Sequence, residues 1–421
     1  VKAKENYAKA SKALESQAKR DYAPNLNIGA QQDYGTVNGQ NGPLWGFGGL
    51  GVASSGLPLA EQNWNAAFGA LYLANVNWDF FAFGRAKDKI LTAKAVATRD
   101  TKDWQQETFK HKIRVAAAYL NLIAAQQLER SYEKNLYRAD TIRRIIVTRA
   151  LNGLIAGVDS SQANAESANA KITLTKAKDY EKEQASQLAQ LTALPLQDFL
   201  LDSFFFSRIP AIADTTRSLN EHPVLKWYMS RLNVSKEQTK YYRTFYYPTF
   251  SLVGIYQTRA SGFGSGYASN QNDFTHDYWT GINPTRANYL VGVGVTWNLT
   301  QPFRMSQQVK AQKYITKGLV DEYNLAEQQI QTQLSLSEAK IKFAMDNYRD
   351  AGIQVKAASD AYKQKSVLYK NGLTNLVDLT QSLYALVRAE TDRDIAYSNV
   401  WQALLLKAAA AGDFNIFEDQ L

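Results

Sequence analysis

Four stretches of the chain carry a period of two. At 289–299, Tyr289, Val291, Val293, Val295, Trp297 and Leu299 interleave with Leu290, Gly292, Gly294, Thr296 and Asn298. Phe68, Ala70, Tyr72, Ala74, Val76, Trp78 and Phe80 keep the same spacing, and so do Phe250, Leu252, Gly254 and Tyr256. Alternation rich in aromatic and β-branched residues predicts half-buried strands, at about 24–37, 66–83, 248–262 and 287–301. Each pair of strands brackets a Gly/Asn-rich loop, GTVNGQNGPLWGFGGLGVASSG in one case and SGFGSGYASNQNDFTHDYWTGINP in the other.

Elsewhere the period is helical. Ile341, Ala344, Tyr348, Ala351, Val355, Ala358 and Tyr362 follow a 3,4,3,4 spacing, the seam of a coiled coil, and its small residues allow close helix approach. Leu376, Leu379, Leu383 and Leu386 form a stripe on a later helix. The pattern predicts long helices over 85–152 and 304–371, each stopped by a glycine, Gly153 or Gly372, suited to a left-handed C-terminal cap. Helices returning to about 194 and 411 follow, and helices of ~20 residues (1–22 and 223–246) precede the strands. A stretch such as 85–152 spans about 100 Å and the return helix about 60 Å at ~1.5 Å per residue. Each long helix is therefore expected to pair with two shorter ones stacked end to end, with strands at one end and glycine turns at the other.

The chain repeats itself. NGLIAGVDSSQ (152–162) and NGLTNLVDLTQ (371–381) share Asn, Gly, Leu, Val, Asp and Gln at matching places. NWDFFAFGR (77–85) matches TWNLTQPFR (296–304), and DYAPNLNIGA (21–30) matches FYYPTFSLVG (245–254). Three collinear matches predict a tandem duplication, read as residues 1–194 and 223–421 around an insertion at 195–222. The second copy opens on His222-Pro223, whereas VKAKENYAKASKALESQAKR begins in mid-helix without Met, so the first copy is expected to lack its start.

Composition narrows the chemistry. There is no Cys, which removes disulfides and thiolate metal sites. The formal charge of +9 is spread among Glu, Asp and Gln along helical stretches, as solvated helix faces are, rather than gathered into a nucleic-acid patch. No apolar run approaches the ~20 residues of a membrane-spanning helix. GFGGLG (46–51) satisfies a dinucleotide fingerprint literally but lies in a loop between two strands, not between a strand and a helix. His111, His222 and His276 lack a second ligand at metal spacing, and no nucleophile–base or paired-carboxylate arrangement is present. Nothing calls for a cofactor, a metal or catalysis. Aromatics alternating in the strands also suit the belts of a membrane barrel. Four strands cannot close a barrel, and an open edge is not viable in lipid, so lipid-facing strands would require several chains.

The duplicated strand–loop–strand–long helix–Gly-Leu turn–helix pattern resembles the TolC family of outer-membrane efflux and secretion channels. The most specific pieces are YKNGLTNLVDLTQSLYALVRAE (369–390), its weaker copy at 150–168, and HPVLKWYMSRLNVSKEQTKYYRTFYYPTFSLVG (222–254). The resemblance implies a mainly α fold with membrane β: a homotrimer whose twelve strands form a β-barrel in the outer membrane, continued by an α-helical barrel in the periplasm, with a collar built partly from 195–222. It implies a non-catalytic exit duct of a tripartite efflux pump or type I secretion system. Its partners would be a periplasmic adaptor and an inner-membrane transporter, with no nucleic acid. A periplasmic coiled-coil adaptor or scaffold without a pore is the alternative. On the strands, Tyr72, Val76, Val291, Val293, Val295 and Trp297 are expected to face lipid, together with Ala70 and Ala74. Gly153, Leu154, Gly372 and Leu373 would be adaptor-docking tips. Asp159, Asp378, Gln162, Gln381 and Tyr369 would form the pore constriction, although the two aspartates also suit a plain stabilising role near helix N-termini. Thr374 and Gln381 stand where the best-known members carry Arg and Asp, so the ring is expected to be less acidic and its closing links weaker. The exported substrates, the pump served and the open or closed state are not legible in the sequence.

Overall fold

The computed structural model describes residues 1–39, 59–201, 205, 208–211 and 219–420; the literal GFGGLG at 46–51 lies outside them. In chain order the helices are α1 (Lys2–Arg20), α2 (Arg85–Leu151), α3 (Gly157–Thr192), α4 (Pro223–Arg243), α5 (Tyr278–Ile282), α6 (Gln301–Lys370), α7 (Leu376–Ala411) and α8 (Asn415–Glu418). The strands are β1 (Asn25–Thr36), β2 (Ala66–Phe81), β3 (Thr249–Ser261) and β4 (Arg286–Thr296).

The chain divides into two compact units, and each draws on both repeats. One comprises Val1–Lys9, Thr98–Leu232 and Lys317–Leu421; the other comprises Ala10–Ala97 and Asn233–Thr316. The second unit holds all four strands in one antiparallel sheet of order β1-β2-β3-β4. The central pairing, β2 with β3, joins strands of different repeats, with Ala70 opposite Ala260 and Val76 opposite Gly254. The sheet therefore cannot be split into two independent halves.

Strand ends differ from the expected ones for local reasons. The last strand stops at Thr296, not near 301, because the Asn298 side chain accepts from both the backbone N–H (3.1 Å) and the hydroxyl (2.8 Å) of Thr300 and turns the chain into α6. Trp297 consequently sits just past the strand. The second strand stops at Phe81, before Phe83 (φ 49°) and Gly84 (φ 86°), whose left-handed backbones launch α2.

In the helical unit the heptad seam is realised. Ile341 and Ala344 pack on Val400 and Ala403 of α7, with Met345 and Tyr348 beside them. The α7 stripe Leu376, Leu379, Leu383 and Leu386 is buried. A larger core gathers Leu120, Ile123, Phe205, Trp401, Leu404, Leu405 and Phe417. Phe205, from the insertion between the repeats, sits edge-on to Trp401 at 4.9 Å between ring centroids. Polar links join α2 to α7 in antiparallel order: Gln402 donates to Asn121 (3.0 Å), Ser131 to Asp394 (2.6 Å), and Arg138 to both oxygens of Glu390 (2.8 Å each).

Candidate functional site

Directly opposed residues in an antiparallel sheet share a face, so the register fixes which side chains lie together. One face carries, rung by rung, Ala30–Tyr72–Thr258–Ala287, then Ile28–Ala74–Tyr256–Tyr289, then Leu26–Val76–Gly254–Val291, then Trp78–Leu252–Val293. The bulge after Trp78 brings Phe81 opposite Phe250, which pairs with Val295. This face holds no charged residue. The opposite face holds all four charged residues of the strands. Asp33, Arg259 and Arg286 are placed there by register, and Asp79 by the hydrogen bond it accepts from Ser251 (2.5 Å). The same face carries Asn25, Asn27, Asn75, Asn77, Gln257 and Asn288.

The apolar face is graded along its length. Tyr72, Tyr256 and Tyr289 lie toward the loops, aliphatic residues fill the middle, and Trp78, Phe81, Phe250 and Trp297 lie toward the helices. Trp78 donates its indole N–H to the Tyr22 carbonyl (2.8 Å), and Trp297 does the same to Tyr246 (3.2 Å). The two repeats thus make one and the same anchor, at positions that the sequence repeat pairs. Val291, Val293 and Val295 are largely exposed. Tyr72 differs: it is half-buried beside Ile282 and donates its hydroxyl to the Ile282 carbonyl (3.2 Å), so α5 partly covers it. The strands run 12, 16, 13 and 11 residues, long enough to cross a bilayer, which needs about 9–11 tilted residues. Among the described residues the outer edges of β1 and β4 have no strand partner. No described helix is long and apolar enough to cross a membrane.

At the turns of the helical unit, Gly153 and Gly372 adopt φ of 70° and 73°. The following Leu N–H reaches back to Arg149 O and Leu368 O at 2.9 Å, closing each helix with a C-terminal cap. Leu154 and Leu373 project from these caps and are 68% and 71% exposed. Both sit on the surface rather than folding back on their own helix.

The structure brings Tyr369 and Asp159 close enough to interact electrostatically and holds Asp378 within its own hairpin. Tyr369 is buried against Ile146, Ala163, Leu376 and Leu379. Its hydroxyl has no hydrogen-bond partner among the described residues. Burial pushes the Tyr369 hydroxyl above its ordinary pKa; nearby Asp159 adds to this, while Arg149, 5.9 Å from the ring, opposes it. Asp378 is engaged within its own hairpin, accepting from Lys365 Nζ (2.8 Å) and Thr374 Oγ1 (2.9 Å). The Lys365 hydrogen bond, then that of Thr374, holds the Asp378 carboxyl below its usual value. Asp378 is also the third residue of α7, and its N–H donates to the capping side chain of Asn375 (2.8 Å). Asp159 holds the same place in α3, whose cap Ala156 offers no side-chain bond. Gln162 is half-buried and Gln381 exposed.

Two partners were invisible in the sequence. Lys365 lies 13 residues before Asp378, across the turn, where no helical spacing predicts a pair. Tyr384 of α7 donates its hydroxyl to Glu166 of α3, and burial followed by this bond pushes the Tyr384 pKa up to about 12. No cluster of three or more potential metal ligands occurs among the described residues.

No family model matches the chain, and no curated protein matches its sequence. Solved structures do match its fold. The outer-membrane channel OprN is 17% identical, with 98% of this chain and 86% of OprN covered at a TM-score of 0.77. The outer membrane protein VceC from Vibrio cholerae is 16% identical over 98% of this chain and 92% of VceC, TM-score 0.77. CusC, described in terms of folding and transmembrane channel formation, is 13% identical over 98% and 88%, TM-score 0.78. The chain therefore has the fold of TolC-like outer-membrane channels: mostly helical, with a four-stranded antiparallel sheet.

Proposed function

We propose that the chain is one subunit of a trimeric outer-membrane channel that serves as the exit duct of a tripartite efflux pump or a type I secretion system. The observation that carries this is the segregation of the sheet. Every charged strand residue lies on one face. The other is uncharged and mainly apolar, with polar side chains such as Gln32 and Thr258 near its loop end, banded by aromatics at both ends and, among the described residues, open at both edges. A soluble sheet with one apolar face would cover it with a second layer. A sheet whose apolar face meets hydrocarbon must close its edges, and three copies of four strands make a twelve-stranded barrel with the charged face inward. The shared fold with OprN and VceC supports the same reading.

In this assembly the helices continue the pore into the periplasm, without catalysis. Leu154 and Leu373, exposed beside Gly153 and Gly372, are the surface offered to a periplasmic adaptor, which links the duct to an inner-membrane transporter. Asp159, Asp378 and Tyr369, with Gln162 and Gln381 nearby, form the periplasmic constriction. Detergent extraction of the outer membrane, followed by denaturing gels with and without boiling, tests the assembly. A heat-sensitive trimer that forms ion-conducting pores in planar bilayers is expected. A soluble monomer recovered without detergent would instead identify a coiled-coil scaffold with no pore.

A further inference from the structure

The charged face of the sheet contains an arrangement that strand pairing does not favour. Arg259 of β3 and Arg286 of β4 are directly opposed partners. Like charges opposite one another in adjacent strands destabilise the pairing. Neither side chain makes an ion pair or hydrogen bond among the described residues, and both are exposed. The acids nearby are few. Asp33 lies one rung toward the loops on β1, opposite Gly69, and accepts from Gln31 (2.8 Å). Asp273 is occupied by the Gly266 N–H (2.9 Å), and Asp277 caps α5 through Thr280 (2.7 Å). Glu61 is exposed. The loop sequence 40–58 contains no acidic residue at all. The rung Gln31–Leu71–Arg259–Arg286 is thus a cationic band near the loop end of a face whose two carboxylates are Asp33, one rung away, and Asp79 at the helix end, and which otherwise carries amides, hydroxyls, glycines and aliphatics.

We infer that Arg259 and Arg286 form an anion-binding girdle in the lumen, at the outer end of the barrel, that engages phosphate- or carboxylate-bearing solutes as they leave. This rests on the pore reading above. In a trimer the two positions become six guanidiniums around one lumen, against three carboxylates from Asp33. Rings of Arg or Lys are how anion pores are lined, and a guanidinium presents a planar donor fork that fits phosphate and carboxylate oxygens. On the same reading the carboxylates of the helical turns serve the entrance and the girdle serves the exit, so the two ends of the duct bind solutes of opposite sign.

The experiment is single-channel recording with inorganic tripolyphosphate added to one side at a time. The wild-type channel is expected to be blocked by tripolyphosphate from the loop side at lower concentration than from the helix side. Arg259→Gln with Arg286→Gln should conduct, as a heat-sensitive trimer, and lose the loop-side block. Arg259→Lys with Arg286→Lys should retain a weakened block. The same anion chemistry could come from lipid headgroups, so recordings are made in phosphatidylcholine and in phosphatidylglycerol bilayers. A luminal girdle gives the same block in both. Block that vanishes in the anionic lipid overturns the inference by assigning the arginines to headgroups. Block unchanged in the Gln double variant, or absent from a conducting wild-type channel, also overturns it. A wild type that never conducts refutes the pore reading itself.

Discussion

In the proposed membrane barrel, Val293→Lys should destabilise the sheet by ~2–4 kcal/mol, while its neighbour Gly294→Lys should cost at most a few tenths. Val293 lies on the apolar face opposite Leu252, midway between the aromatic positions 289 and 297. It is 65% exposed in the single chain, so replacing it forfeits little packing, and the cost is that of placing an ammonium in hydrocarbon. Gly294 is the next residue on the same edge strand, on the charged face opposite Ser251. A side chain there meets nothing within 4 Å of its Cβ, so lysine enters without a clash. It also removes the weakness that glycine brings to a strand interior. The two variants match in charge, strand and depth and differ only in the face they occupy. A difference of 2–4 kcal/mol is roughly a 30- to 700-fold change in the folding equilibrium at 1.4 kcal/mol per tenfold. Urea-dependent folding into phosphatidylcholine vesicles, followed by tryptophan fluorescence at a fixed protomer concentration, reads it directly. Equal destabilisation by the two lysines, or the larger effect at Gly294, would refute the assignment of faces.

On the proposed duct reading, Leu154→Asp together with Leu373→Asp should leave the trimer folded and abolish export, because both side chains are exposed at capped turns; retained export in cells carrying the double variant would remove the proposed docking role. Asp159→Ala with Asp378→Ala should weaken block of the channel by trivalent cations from the periplasmic side without preventing assembly, and unchanged block in planar bilayers would leave these residues as helix-end charges only. The Lys365 contact lowers the folded pKa of Asp378, so its stabilising contribution is complete above the ordinary value of 3.8 and is lost as pH falls through the lower folded value. Asp378→Asn should therefore be less stable than wild type near neutrality and should converge with it in strong acid, read by helix circular dichroism. Arg138 and Glu390 are partly solvated (23% and 17% side-chain exposure) but bidentate. A double-mutant cycle with Arg138→Met and Glu390→Gln should give a coupling of about 1 kcal/mol after solvent screening, and a value near zero would mark the pair as incidental.

What the sequence determined by itself is the set of local elements. Period-two alternation located four strands to within a few residues, because a strand with one wet and one apolar face must alternate. The 3,4 spacing of Ile341, Ala344 and Tyr348 exposed the seam that packs on Val400, and Gly153 and Gly372 marked the turns because only glycine takes a φ near 70° without strain. Even the pairing of Trp78 with Trp297 was visible as a repeat. Tertiary structure decided everything that depends on register or on chains meeting across a turn. Each compact unit mixes the two copies, since β2 finds its partner in β3 of the other repeat. Lys365 reaches Asp378, and Glu166 reaches Tyr384, over separations no helical period encodes. Arg259 meets Arg286 only because the register of β3 on β4 sets them opposite; shifted by one residue, each would point to the other face. Local pattern says which side of an element is apolar. Which residues then face one another is fixed by packing that is non-local in the chain.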